Sequence, residues 1–253
     1  MARMPGLDWL TARPVAHRGL HDRENGIIEN SESAVRAAVE AGFAIEVDIQ
    51  ETSDGEAVVY HDFHLDRLTD QTGRLDAQPL SVLEQIQIKG GTDRIISLQR
   101  LLEIVDGKVP LVVEIKSAET GSVRLAQTFC RRIEGYKGPI AGMSFDPQMV
   151  ETLRRERPFL TRGLISYAYE DDESEHLSLA VRLGRRLLLP VVTCSPHFIA
   201  YGQADLPAIG PWVARRLLGM PVLSWTVRSR DVARRIAPYV DQIIFEGFRP
   251  DAA

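Results

Sequence analysis

The segment Ala44-Ile45-Glu46-Val47-Asp48-Ile49 sets two carboxylates two residues apart in an otherwise apolar run. Side chains alternate across a strand, so Glu46 and Asp48 share one face with Ala44, while Ile45, Val47 and Ile49 share the other. Two ionised carboxylates on neighbouring inward positions are costly without a counter-charge, and a divalent cation resolves that cost. Val112-Val113-Glu114-Ile115-Lys116 repeats the pattern, with Glu114 and Lys116 on one face and Val113 and Ile115 on the other. A third carboxylate and a cationic side chain therefore reach the same place. Oxygen donors alone favour a hard ion, Mg²⁺ or Ca²⁺, over Zn²⁺. A structural Glu114–Lys116 ion pair would explain one strand but not the repeat on two.

Two histidines fall near these carboxylates. His17-Arg18-Gly19 follows the apolar run Pro14–Ala16. Downstream, Ser53-Asp54-Gly55-Glu56 reads as a hairpin turn, and a two-residue loop at Asp54-Gly55 sets Asp48 opposite His61. His17 and His61 beside a cation would supply a general base and a general acid near neutral pH, and the residues leave open which is which. His21, His64, His176 and His197 read as structural. The acidic run Glu170–Glu175 reads as a solvated loop and helix start rather than a second metal site.

Short apolar runs alternate with segments of helical period, as strands buried on both faces require. The strand candidates are Pro14–Ala16, Ala44–Asp48, Leu111–Ile115, Ile140–Met143, Thr161–Ile165, Leu187–Val192, Val222–Thr226 and Gln242–Phe245. Helices are predicted over Ser31–Ala41, ending at Gly42, over Leu98–Val105 with Ser97 as N-cap, and over Val123–Glu134. Asp146-Pro147 reads as an N-cap followed by proline at the first helical position. Such alternation leaves a closed barrel or an open doubly wound sheet. Glu51 to Ile96 contains no convincing βα unit and reads as an insertion, giving an inserted subdomain at 49–96 within one barrel spanning 1–253. The few residues after Phe245 are too short for an eighth outer helix, and Leu7–Thr11 is expected to close the barrel bottom instead.

The 253 residues are 44% hydrophobic and 26% charged, enough for one large core. A net charge of −5 and a pI near 5.7 argue against nucleic acid as a partner. Cys130 and Cys194 show no metal-type spacing and read as buried thiols. Met1–Leu10 has no apolar run, so neither a signal peptide nor a membrane span is expected, and a cytoplasmic location is the default. With no amphipathic basic helix evident, no stable membrane association is expected. Oligomeric state is left open.

Taken in order, His17-Arg18-Gly19, Glu29-Asn30-Ser31, Glu46-Val47-Asp48, Asp54-Gly55, His61-Asp62, Arg67, Glu114-Ile115-Lys116, Ser144-Phe145-Asp146 and Trp225-Thr226-Val227 resemble the glycerophosphodiester phosphodiesterase family. The resemblance implies a TIM (β/α)₈ barrel with a small inserted subdomain after the second strand. It implies hydrolysis of a small-molecule glycerophosphodiester to sn-glycerol 3-phosphate and an alcohol. It further implies Glu46, Asp48 and Glu114 as ligands of Mg²⁺ or Ca²⁺, and His17 and His61 as the acid–base pair. By the same resemblance Arg18 and Lys116 bind phosphate and Trp225 lines the glycerol pocket. The chain departs from the family pattern in three places. Arg228 stands where Asn is usual, Phe245-Glu246-Gly247 where Thr-Asp and a proline are usual, and Ser97 where a proline precedes the second helix.

Overall fold

The computed structural model describes residues 6–117 and 121–250, so the first five residues of the N-terminal reading lie outside it. In chain order it contains α1 (Asp8–Thr11), β1 (Val15–Ala16), α2 (Glu32–Ala41), β2 (Ala44–Glu51), β3 (Ala57–Val59), α3 (Leu80–Leu83) and β4 (Ile96–Ser97). There follow α4 (Leu98–Val105), β5 (Leu111–Ile115), α5 (Arg124–Arg132), β6 (Ile140–Ser144), α6 (Pro147–Glu156) and β7 (Thr161–Ser166). The remainder is α7 (Leu179–Arg186), α8 (Val191–Cys194), β8 (Phe198–Gly202), α9 (Ile209–Arg216), β9 (Val222–Val227), α10 (Arg230–Ile236) and β10 (Gln242–Phe245).

Eight of these strands pair in parallel in the order β1-β10-β9-β8-β7-β6-β5-β2, and β1 also pairs with β2. The sheet therefore closes on itself, as a TIM (β/α)₈ barrel. β3 and β4 extend it from β2 as antiparallel strands. The helix signals held where capping chemistry was explicit. Ser31 Oγ accepts from Ala34 N, Ser97 Oγ from Arg100 N at 3.3 Å, and Asp146 Oδ1 from Gln148 N at 2.9 Å.

Alternation sorts the strand side chains into two apolar layers. Ile45, Val47, Val113 and Ile115 pack outward under the helices. Val15, Ala44, Val112, Ala141, Phe198, Leu223 and Ile244 fill the barrel interior, where Leu10 and Trp9 pack against them. The N-terminal helix thus closes the bottom, with Leu10 wholly buried. A third cluster, including Val58, Tyr60, Leu65, Leu75 and Leu83, lies within the insertion after β2. Cys130 and Cys194 are buried and free. Among the described residues no helix is long and apolar enough to cross a membrane.

Two sequence expectations fail here. Leu187–Val192 is not a strand: Leu188 takes φ +59 and the chain passes into the single-turn helix α8. Of that run, Leu187, Leu189 and Val192 are exposed, so its apolar character did not mark burial. The barrel strand is Phe198–Gly202, whose five residues are all buried. The hairpin register is also shifted by one. Ile49 pairs with Val59 and Glu51 with Ala57, so Tyr60, rather than His61, falls opposite Asp48. Gly55, at φ +82, closes a three-residue loop of Ser53, Asp54 and Gly55, the usual form when a left-handed residue follows a type I turn.

Candidate active site at the barrel mouth

The strand register that closes the barrel also assembles the site. Asp48 and Glu114 are paired positions on adjacent strands, and Glu46 lies one inward step below Asp48. All three carboxylates are buried, and one oxygen from each lies within 4.8 Å of the others. Lys116 Nζ reaches Asp48 Oδ1 at 2.8 Å and Glu114 Oε1 at 2.6 Å. Asn30 braces Asp48 twice, its Nδ2 donating to Oδ2 at 2.9 Å and its Oδ1 accepting from the Asp48 backbone N–H at 3.2 Å.

The His17-Arg18-Gly19 corner wraps Glu46. The Arg18 backbone N–H donates to Glu46 Oε2 at 3.0 Å, and Gly19 N donates to the Glu46 carbonyl at 3.1 Å. Gly19 is required twice over: its φ is +80, and a Cβ there would sit 2.8 Å from the Ala34 carbonyl carbon. Arg18 turns its guanidinium to Glu29 at 2.6 Å and lies 3.4 Å from Asp48 Oδ2.

Both histidines reach this mouth, and both are held the same way. His17 Nδ1 lies 2.5 Å from Glu246 Oε2, and His61 Nδ1 lies 2.7 Å from Asp62 Oδ1. An ionised carboxylate can only accept, so each Nδ1 carries the proton and each Nε2 is left for the site. His17 Nε2 is 3.9 Å from Glu46 Oε2. His61 arrives despite the register shift because β3 ends at Val59 and the chain then turns, with Gln50 Nε2 donating to the His61 carbonyl at 2.8 Å. Asp62 is in turn held by Arg67, which also grips Glu29.

Burial and crowding set the charge states. Burial raises the Glu46 carboxyl well above the ordinary range, and Asp48 and Glu114 add to the shift. Burial also raises Glu114, against the opposing pull of Lys116. Burial would lift Asp48 too, but Lys116, His61 and Arg18 hold it well below the usual range. Desolvation lowers both His17 and His61. Three carboxylates thus share one ammonium and one guanidinium. An all-oxygen donor set, short of positive charge, fits a hard divalent cation.

The mouth opens into a cleft of about 1700 Å³ that also takes in Trp225, Phe145 and Tyr167. These three rings meet edge to face, Phe145 and Trp225 at 5.4 Å between centroids. Trp225 Nε1 has no hydrogen-bond partner among the described residues. Of the eight residues singled out from sequence, His17, Arg18, Glu46, His61, Glu114, Lys116 and Trp225 line this one opening, and Asp48 is buried beside Glu46 and Glu114.

Glu246 was not singled out. It carries His17, lies 3.6 Å from His21 Nε2, and accepts from Arg228 Nε at 2.7 Å. The two departures from the family pattern at 228 and 246 are thus partners in the structure. The signal was available: β1 pairs with β10 at Ala16–Phe245, so closure alone sets His17 beside Glu246. His21, read as structural, belongs to the same group. Among the described residues, Glu46, Asp48 and Glu114 are the one group of such side chains close enough together to hold a metal.

Comparison with known proteins gives a consistent result. The sequence profile of the glycerophosphoryl diester phosphodiesterase family matches residues 17–246. A glycerophosphodiester phosphodiesterase of Caldanaerobacter subterraneus is 28% identical over 242 residues, covering 91% of this chain and 92% of the relative. Among solved structures, an Oleispira antarctica phosphodiesterase in complex with the product sn-glycerol-3-phosphate superposes with a TM-score of 0.75 at 19% identity, covering 92% of this chain and 91% of that one. A glycerophosphodiester phosphodiesterase of Parabacteroides distasonis superposes at 0.73 with 22% identity and 92% of each chain. At these identities the superpositions establish the shared barrel.

Proposed function

The chain belongs to the glycerophosphoryl diester phosphodiesterase family, and from that premise we propose that it hydrolyses glycerophosphodiesters to sn-glycerol 3-phosphate and an alcohol. The observation that carries this reading is the convergence of Glu46, Asp48 and Glu114 between two histidines at one barrel mouth. Glu46, Asp48 and Glu114 would hold Mg²⁺ or Ca²⁺. Such a cation would neutralise charge on the non-bridging phosphoryl oxygens.

The chain's own residues supply the rest. Arg18 and Lys116 border the same opening and present positive charge to a bound phosphodiester. His17, with Nδ1 on Glu246, offers an unprotonated Nε2 able to take a proton from the attacking group. His61, steadied by Asp62, is the partner able to give one to the departing alcohol. Glu246 and Asp62 stabilise the imidazolium whenever either ring is charged, because each carboxylate sits against the bonded nitrogen. Trp225 lines the glycerol end, with Phe145 and Tyr167 fixing its ring. Residues 49–96 form the subdomain that carries His61 and Arg67 to this mouth, within one barrel spanning 1–253.

The direct test is release of glycerol 3-phosphate and choline from glycerophosphocholine. Turnover should stop with EDTA and return with Mg²⁺ or Ca²⁺. Full activity in EDTA would remove the cation from the reading, and no turnover of any glycerophosphodiester would remove the reading itself.

A further inference from the structure

Arg67 lies in the inserted subdomain, where the buried Leu65 and Leu68 fix the backbone on either side of it. Its own side chain is 46% exposed, yet both edges of the guanidinium are engaged. Nε and NH2 donate to the two oxygens of Asp62 at 2.5 and 3.0 Å. NH1 and NH2 donate to the two oxygens of Glu29 at 3.1 and 2.8 Å. A planar fork held by two carboxylates is fixed in place and in orientation, which a lysine cannot match.

The two carboxylates belong to different parts of the molecule. Asp62 follows His61 and holds its Nδ1. Glu29 precedes Asn30, which braces Asp48, and Glu29 Oε1 also accepts from Arg18 NH1 at 2.6 Å. A continuous polar chain therefore runs from the His61 ring through Asp62, Arg67 and Glu29 to Arg18. It joins the histidine of the insertion to the barrel residue that borders the cation ligands.

Docking of the subdomain does not require this chain. Ile28 already packs with Val58, Tyr60, Leu65 and Leu83 in one apolar cluster, and exposed ion pairs add little stability to such a contact. The His61 ring does require it. His61 lies beyond Val59, the last residue of β3, and its ring rests on Asp62. Burial would raise the Asp62 carboxyl, but hydrogen bonds from Arg67 and His61 hold it below the ordinary range, so the ring meets an anion at neutral pH. Without Arg67 the Asp62 carboxylate is free to turn and to take the ring with it.

We propose that Arg67 is a positioning residue for departure of the alcohol: it locks Asp62, and through Asp62 the His61 ring, in fixed relation to Arg18. This rests on the reading of His61 as the group that protonates the departing alcohol. That proton must reach the alcohol oxygen as its bond to phosphorus breaks, so a ring turned aside costs rate and not binding.

The test measures kcat and KM of the full chain, with Mg²⁺ or Ca²⁺ present, on two diesters of glycerol 3-phosphate. One is glycerophosphocholine; the other carries p-nitrophenol, which leaves without a proton. On glycerophosphocholine, Arg67→Gln should lower kcat roughly 10- to 100-fold with KM within about twofold of the parent. On the nitrophenyl diester the loss should shrink to less than about threefold. Arg67→Lys, which keeps the charge but not the fork, should recover part of the loss. In a His61→Ala background Arg67→Gln should cost nothing further, because the ring it positions is gone. Melting temperature should stay near that of the parent; were Arg67→Gln to unfold, Arg67→Lys carries the same comparison of the two diesters. No turnover by the parent would remove the phosphodiesterase reading and this one with it. Parental turnover with an unaffected Arg67→Gln would remove this one alone. So would an equal loss on both diesters, a loss that multiplies with that of His61→Ala, or a change confined to KM.

Discussion

His17 and His61 each hold Nδ1 against a carboxylate and leave Nε2 unbonded, that of His17 lying 3.9 Å from Glu46 Oε2. If one ring is base and the other acid, His17→Ala and His61→Ala should each lower kcat by ~10²-fold or more. The double variant should fall far short of the product of the two losses, because the pair acts as a unit. A substrate with an activated leaving group identifies the acid, since it should rescue only the variant lacking that ring. Either single variant retaining near-full kcat would remove that histidine from the mechanism. Glu246 permits a separate test. Glu246→Gln keeps the size of the side chain but offers no anion to His17, so kcat should fall roughly 10- to 100-fold while KM holds. Glu246→Asp, which restores the carboxylate, should recover part of that loss. An unchanged kcat in Glu246→Gln would show that His17 needs no anchor. Sequence alone exposed the three carboxylates because their alternation on strands is visible locally. It did not expose Glu246, whose role depends on a strand pairing across 229 residues.

At the scale of elements, what could be read and what could not divide along local chemistry. Ser97 and Asp146 announce their helices through a side chain and a backbone N–H a few residues away, and those elements stand where the sequence put them. Leu187–Val192 carries no comparable signal. An apolar run states only that its side chains are apolar, and here Leu187, Leu189 and Val192 stand exposed at the surface. The Asp54-Gly55 pair was read as a two-residue loop, yet Gly55 closes a three-residue one, and a shift of one position exchanges the faces of a strand. His61 still reaches the mouth because it lies beyond the paired part of β3. β7 carries a packing demand that only the structure reveals: a Cβ on Gly163 would lie 2.3 Å from Cζ of Phe198, a wholly buried ring. Gly163→Ala should therefore cost about 1–3 kcal/mol of stability by overpacking. An unchanged denaturant midpoint would show that the Phe198 ring can move aside.

For the molecule as a whole, the barrel is a cylinder with one chemical end and one sealed end. Leu10 and Trp9 from α1 pack against Val15, Ala44, Val112 and Ile244 inside the strands. Leu10→Ala should lower stability by about 2–5 kcal/mol, as for other fully buried leucines, with little effect on kcat at temperatures where the protein remains folded. A thermal melt unchanged by Leu10→Ala would mean that the bottom is sealed by other residues. The seam of the cylinder is β1, only two residues long, held between β2 and β10. His17 leaves that seam with Glu46 on one side and Glu246 on the other. During synthesis the first of these neighbours emerges early and the second almost last. A chain ending before residue 246 would still carry Glu46, Asp48, Glu114 and both histidines, yet His17 would lack the carboxylate that holds its Nδ1. Turnover in purified chains truncated on either side of residue 246 therefore reports whether a closed ring of strands suffices or the Glu246 contact to His17 is needed as well.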